Sequence, residues 1–393
     1  MLIRREDRTA SREEEAPSIR PLRLSLLIQL APRKLGSLEE WLVGLATEAR
    51  RRGHKLDVFG LEPIDPQVRY ELTAVGAGWE TVASLTRRPW AAVRRLARDY
   101  DVMHVNFAAP NEKLALLACA AWPTPILYVD HNSRSAGVTP RRSLIGSALD
   151  HLTRMRMSGM VGVSNYVRDR ARERYHVEPP FVGTIYNGVN VRRFAPPTTP
   201  RPVTGEVVIT AAAYLIAEKG IAGLLEAVAL ARPSGVRVNI VGDGPEEARL
   251  RALAQTLGLE KVTSFLGLRN DLHEVLRETD IFVHPVLWEE AFGLTIAEAM
   301  ATGCAVVASR IGAIPELVES GESGVLVTPG DVPALAAALT DLAAHPEERR
   351  RLSAAALRRA NMLFRLDDSV AAHLDWCERI GAKRRSGAGD AVL

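Results

Sequence analysis

Short apolar runs recur along this chain, each about as long as one strand and each followed by a longer stretch with helical spacing. They are Leu22 to Leu30, Lys55 to Phe59, Asp101 to Phe107, Ile126 to Val129, Gly159 to Val163 and Val182 to Tyr186. A second set follows at Val207 to Ala211, Val236 to Val241, Ile281 to His284, Ala305 to Ala308 and Gly324 to Val327. Strands that alternate with helices are the pattern of parallel α/β units, since a parallel neighbour can be reached only through a crossover connection. The first unit is the clearest. Leu22 to Leu30 leads through the turn Gly36-Ser-Leu-Glu-Glu40 into apolar residues at helical spacing from Trp41 to Ala46, which stop at Arg51-Arg-Gly-His54 before Lys55 to Phe59. Alanine-rich helices are expected near the end, over Pro333 to Ala344 and Glu347 to Ala360.

A length of 393 residues with 47% apolar content suits two cores at ~100 to 200 residues per domain. The densest proline stretch, Pro196-Pro-Thr-Thr-Pro-Arg-Pro202, reads as a semi-rigid linker between them. The expected division is a disordered tail over residues 1–20, a first domain over 21–198, a second over 199–362, and a final helix with tail over 363–393. Beyond the two similar halves, no repeat stands out.

A net charge of +3 over 42.9 kDa does not point to nucleic acid, because a dedicated binder carries a clustered basic excess. Cys119, Cys304 and Cys377 lie far apart, which indicates neither a disulfide framework nor a zinc site and suits a reducing cytoplasm. No run approaches the ~18 apolar residues of a membrane span, and the charged start from Arg4 to Glu15 does not read as a secretory signal. Gly242-Asp-Gly-Pro245 fails as a dinucleotide fingerprint because position 247, where a third glycine belongs, is Glu. There is no G-x-x-x-x-G-K-[ST] loop, and His273-Glu274 lacks the second histidine of a zinc protease motif.

The chemistry concentrates in Glu290-Ala-Phe-Gly-Leu-Thr-Ile-Ala-Glu298, which follows the apolar run from Ile281 to Trp288. It reads as a strand, a glycine turn and a helix start with a carboxylate at either end. First-turn amides around Phe292, Gly293, Leu294 and Thr295 would lack intrahelical partners and so favour an anion such as a diphosphate. Carboxylates cannot hold phosphates, so Glu290 and Glu298 are candidates to accept from the hydroxyls of a hexose and a ribose. The alternative is that an early helical Glu merely stabilises the helix dipole.

With these residues the chain resembles the retaining glycosyltransferases of family 4, a two-domain GT-B architecture with a Glu-x7-Glu element in the second domain. The likeness also rests on Ala299-Met300-Ala-Thr-Gly303, Gly312-Ala-Ile-Pro-Glu316, Gly242-Asp-Gly-Pro245, Glu218-Lys-Gly220 and Tyr186-Asn-Gly-Val-Asn190, in family order. It implies two Rossmann-like parallel-sheet domains facing across a cleft, and a last helix from Phe364 to Ile380 that returns to the first domain. Closure about such a hinge would keep water from the donor.

The implied reaction moves a hexose from a nucleoside diphosphate sugar to a hydroxyl acceptor, a sugar or a lipid-linked one, with retention, no bound metal and no cofactor. Glu290, Lys219 and His131 are the expected catalytic set, Lys219 stabilising the departing diphosphate. Gly36, Ser37, Gly242, Leu268, Arg269, Phe292, Gly293, Leu294, Thr295 and Glu298 are expected to bind the donor. Where the family commonly has Gly-Arg, this chain has Ala213-Tyr214, so either another cation, Arg269 or Arg310, substitutes for the lost charge or activity is low or differently tuned. Gly36-Ser37 stands in place of a frequent Gly-Gly pair, which narrows the allowed dihedrals. An epimerase or phosphorylase on this architecture, or a silent binding protein, are the rival readings.

Two basic stretches mix cations with apolar side chains: Arg87-Arg-Pro-Trp90 with Arg94, Arg95 and Arg98, and Arg141 to Ile145 through Arg154 to Met157. They suit peripheral contact with an anionic inner membrane face, the alternative being an ordinary solvated helix surface.

Overall fold

The computed structural model describes residues 20–32, 36–107, 113–132, 148, 151–153, 155–175, 182–199, 205–233 and 235–385. The tail (except Arg20), Arg141 to Ile145 and Arg154 lie outside them. Among the described residues, β1 (Arg23–Ile28), β2 (Lys55–Gly60), β3 (Gly78–Thr81), β4 (Val102–Asn106), β5 (Ile126–Asp130), β6 (Met157–Gly162) and β7 (Val182–Thr184) form a seven-stranded sheet. A six-stranded sheet contains β8 (Val207–Ala212), β9 (Val236–Val241), β10 (Thr263–Gly267), β11 (Ile281–His284), β12 (Ala305–Ser309) and β13 (Val325–Val327). All pairings within them are parallel. The expected pair of Rossmann-like sheets is therefore present.

Their strand orders are β3-β2-β1-β4-β5-β6-β7 and β10-β9-β8-β11-β12-β13. In each, the chain winds outward one way from the first strand and then restarts on its other side. The switch points, β1 beside β4 and β8 beside β11, open crevices beyond the strands' C-terminal ends, where α/β sheets bind ligands. The central strands need apolar residues on both faces: every residue of β4 and β8 is buried. Each fully buried Leu, Ile or Val there contributes about 1.5–3 kcal/mol of transfer free energy.

The helix Leu366–Arg385 returns from the second sheet's side and packs on the helix Ser37–Arg51 and on β4, β5 and β6 of the first. Glycines make room for it. A Cβ on Gly159 would stand 2.8 Å from Ile380, and one on Gly183 would stand 2.5 Å from Trp376. Arg52 Nη1 donates to Asp375 at 2.6 Å and Glu378 at 3.2 Å, tying that helix to the end of the helix Ser37–Arg51.

Further contacts join the halves. Phe292, Tyr186 and Phe364 form an aromatic cluster, with Phe292 and Phe364 5.5 Å apart and nearly perpendicular. The Glu316 carboxylate accepts from the amides of Asn165 at 2.8 Å and Tyr166 at 2.6 Å, so the second half caps a first-half helix, Asn165–Tyr175. Arg193 donates to Glu40 at 2.7 Å and to the Asn270 carbonyl at 2.7 Å.

Candidate active site

A cavity of about 220 Å³ opens between the two switch points, lined from the first half by Ser37, Trp41, Phe107 and His131 and from the second by Glu290 and Phe292 to Leu294. Lys219 reaches the same place through its partner: Nζ donates to Glu290 Oε2 at 2.7 Å. It also stands 5.5 Å from the centre of the Trp288 ring, a cation–π contact that fixes its direction.

The backbone puts Lys219 there. Gly220 has φ 68°, and a Cβ on it would come within 1.9 Å of the Pro285 carbonyl oxygen, so the Lys219 turn lies directly on the chain leaving β11. Gly312 does the same for Glu290. A Cβ there would meet the Glu290 carbonyl at 2.4 Å, and the Ala313 amide donates to that carbonyl at 2.9 Å. The Gly-Ala-Ile-Pro-Glu segment thus holds the Glu290 loop with its first residues and the other half with its last.

Burial raises the cost of charging Glu290, but His284 and the Lys219 ammonium outweigh it and hold the carboxyl at about 2. His284, buried at the C-terminal end of β11, turns Nε2 toward that carboxylate, 3.6 Å from Glu290 Oε2. Sequence reasoning passed over His284 as a strand residue; the signal was a histidine closing an otherwise apolar run, two residues before the turn.

Gly293, at φ 100°, is the N-cap of the helix Leu294–Thr302. The Ile296 and Ala297 amides donate to the Gly293 carbonyl, and Leu294 and Thr295 precede these first intrahelical bonds, so their amides have no partner within the helix. The Phe292 side chain is buried in the aromatic cluster and anchors the turn, leaving its backbone as the part that can meet a ligand.

Glu298 lies one helical turn further, buried, and accepts from Ser37 Oγ across the cleft. The residue expected to hold a ribose is bonded here to the residue expected near the phosphates. The Gly36 amide donates to Glu39 Oε2 at 3.1 Å, within its own helix start. Gly242 follows β9 with φ 125°, where a Cβ would strike the Ala213 carbonyl at 1.9 Å, so a glycine here lets two loops touch. Leu268 and Arg269 lie past β10, outside the cavity lining, and Arg269 is exposed and bonded to both oxygens of Asp271 at 2.7 Å. Arg310 is exposed beyond β12, and Tyr214 is 58% exposed.

His131 follows β5, stacked on Phe107 with ring centres 3.7 Å apart, and its Nε2 lies 3.0 Å from Asn106 Oδ1. Burial, with a smaller contribution from His373, holds its pKa down at about 3, so the ring is neutral at physiological pH.

Comparison with known proteins covers both halves. Residues 197–359 match the family described as Glycosyl transferases group 1, and residues 38–193 match Glycosyltransferase Family 4. A phosphatidyl-myo-inositol mannosyltransferase of Mycobacterium leprae is 32% identical over 362 residues, covering 86% of this chain and 91% of that protein. A D-inositol 3-phosphate glycosyltransferase of Saccharomonospora viridis is 31% identical over 289 residues, 66% of each chain. Among solved structures, Anabaena Alr3699/HepE in complex with UDP and glucose aligns with a TM-score of 0.72 at 22% identity, over 89% of this chain and 99% of that one. A glycosyltransferase from Rickettsia africae gives 0.76 at 19% identity, over 91% and 98%.

Proposed function

The chain belongs to glycosyltransferase family 4, and from that membership we propose that it moves a hexose from a nucleoside diphosphate sugar to a hydroxyl acceptor, with retention and without a bound metal. The observation that carries this reading is the convergence on one cleft of a lysine–glutamate pair and a helix N-terminus, each supplied from the same switch point. A departing diphosphate gathers negative charge on its oxygens. The Lys219 ammonium and the Leu294 and Thr295 amides answer that charge where it develops. Glu290 is then left to accept from sugar hydroxyls, which orients the ring and with it the anomeric carbon. Neutral His131 is suited to hydrogen bonding at the transfer centre. Same-face attack, with the leaving phosphate taking the acceptor's proton, needs no protein nucleophile and is the route we assign.

The names of the relatives support an acceptor built on inositol phosphate, free or lipid-linked. A peripheral approach to an anionic membrane on the cytoplasmic side fits the surface: Trp90 is 77% exposed on the helix Pro89–Asp99 beside exposed Arg87, Arg88 and Arg94. Among the described residues no helix is long and apolar enough to cross a membrane.

The test is incubation with a panel of nucleotide sugars and inositol-phosphate acceptors, with the product's anomeric configuration read by NMR. Acceptor-dependent transfer with retention, lowered at least tenfold by Lys219→Ala, is the expected result. An epimerised donor without any acceptor, or a sugar phosphate formed only with inorganic phosphate, would overturn it. Vesicles of anionic lipid at low salt should bind the protein, and Trp90→Ala should weaken that binding.

A further inference from the structure

The reaction described above uses one histidine, but two others lie buried behind it in a continuous hydrogen-bonded chain. His131 Nε2 meets Asn106 Oδ1 at 3.0 Å, Asn106 Nδ2 meets His104 Nδ1 at 2.7 Å, and His104 Nε2 meets His373 Nδ1 at 3.2 Å. Asn106 is 0% exposed, and His104 and His373 are each 2% exposed. His104 and Asn106 are two residues apart on β4 and so share one face of the sheet, while His373 comes from the returning helix Leu366–Arg385. Trp41, which also lines the cleft, packs on both inner rings, 6.1 Å from His104 and 5.2 Å from His373 between ring centres.

We propose that Asn106, His104 and His373 are positioning residues that lock His131 in a single tautomer, with its proton on Nε2 and its lone pair on Nδ1. The argument is a count of donors and acceptors. An amide has one accepting oxygen and one donating nitrogen, so Asn106 must treat its two histidine neighbours oppositely. Its NH2 donates to His104 Nδ1; a neutral His104 then carries its proton on Nε2 and donates it to His373 Nδ1. The amide oxygen can accept only from His131 Nε2–H.

All three rings are thereby in the Nε2–H form that neutral imidazole side chains favour in water, so no link opposes another. Burial keeps them neutral. It depresses His104 well below the ordinary range and holds His373 at about 3, as it does His131. A ring locked this way accepts a hydrogen bond from a sugar hydroxyl and cannot donate one through Nδ1. The last helix of the chain therefore sets the hydrogen-bonding sense of a group in the cleft. This rests on the transferase reading only in placing His131 at the transfer centre.

The experiment is 15N NMR of histidine-labelled full-length protein at neutral pH, combined with steady-state kinetics. His131 is expected to show a protonated, pyrrole-type Nε2 and an unprotonated, pyridine-type Nδ1. His373→Phe removes the terminal acceptor and should bring the His131 nitrogens toward averaged signals while lowering kcat by about tenfold with the donor KM little changed. His373→Gln, whose amide oxygen can accept from His104, should restore both. A merely structural role would move thermal stability and leave the tautomer alone. A wild-type His131 protonated on Nδ1 would overturn the proposal without any variant, as would a folded His373→Phe protein with unchanged nitrogen signals and kcat. If wild-type protein transfers no sugar yet shows the expected tautomer, the transferase reading fails while the relay stands.

Discussion

Glu290→Gln keeps a side chain's shape while deleting the charge that faces Lys219 at 2.7 Å, so its cost is calculable. The native carboxyl lies at about 2 against an ordinary 4.5, with burial opposing the charged form and His284 and Lys219 favouring it more strongly. Since each pKa unit is worth ~1.36 kcal/mol, that gap corresponds to about 3 kcal/mol of folding free energy. The folded value is the lower one. The stabilisation is therefore complete above pH 4.5 and disappears as the pH falls from there towards about 2. Glutamine imitates the protonated acid, so the variant should be about 3 kcal/mol less stable near neutral pH and converge on wild type in acid. Urea unfolding followed by tryptophan fluorescence, at neutral pH and again near pH 3, measures the difference. Turnover measured alongside should fall at least tenfold, since the sugar loses its charged acceptor. Equal urea midpoints at neutral pH, or a gap undiminished in acid, would refute the reasoning.

Gly220→Ala should cost at least about 1 kcal/mol and most of the turnover, because it adds a clash with Pro285 to a left-handed backbone; Gly53→Ala is the control, with φ 80° and open space around it. Thermal melts and initial rates of the two proteins separate clash from backbone strain. Glu316→Ala deprives the Asn165–Tyr175 helix of its cap and the halves of a bond, which should lower stability by about 1–2 kcal/mol and enlarge the radius seen by small-angle scattering; unchanged scattering would remove its bridging role. Tyr214→Arg should raise kcat by roughly tenfold if leaving-group charge is under-compensated in this chain, and an unaltered or slower rate would show that it is not.

The central strands were legible because they are buried on both faces and so must be written as unbroken apolar runs, as in Val207–Ala212. The edge strands Gly78–Thr81 and Thr263–Gly267 were not. No residue of either is fully buried, so polar residues interrupt them and the run vanishes. Glu290 and the Gly293 turn could be read from a strand end leading into a helix start, whereas Lys219 and His131 needed the family resemblance beside their strand-end positions. Glu316 could be seen as part of a motif, but its partners lie 150 and 151 residues away, a relation that local pattern cannot express. His104 and Asn106 left a trace that went unused: two polar residues at alternate positions inside a buried strand require partners. His373 left none, since a histidine on an amphipathic terminal helix looks like any surface residue until the sheet it covers is known.

The returning helix has a consequence for anyone wishing to recombine such enzymes. Its Ile380 and Trp376 fill the spaces that Gly159 and Gly183 leave open in a sheet that begins at Arg23, so the amino-terminal half is not a detachable cassette. A chimera designed to import a new acceptor specificity has to take both extremities of the donor polypeptide and join them around a foreign middle. Cutting once at the proline-rich connection would leave the amino-terminal sheet beneath a foreign helix.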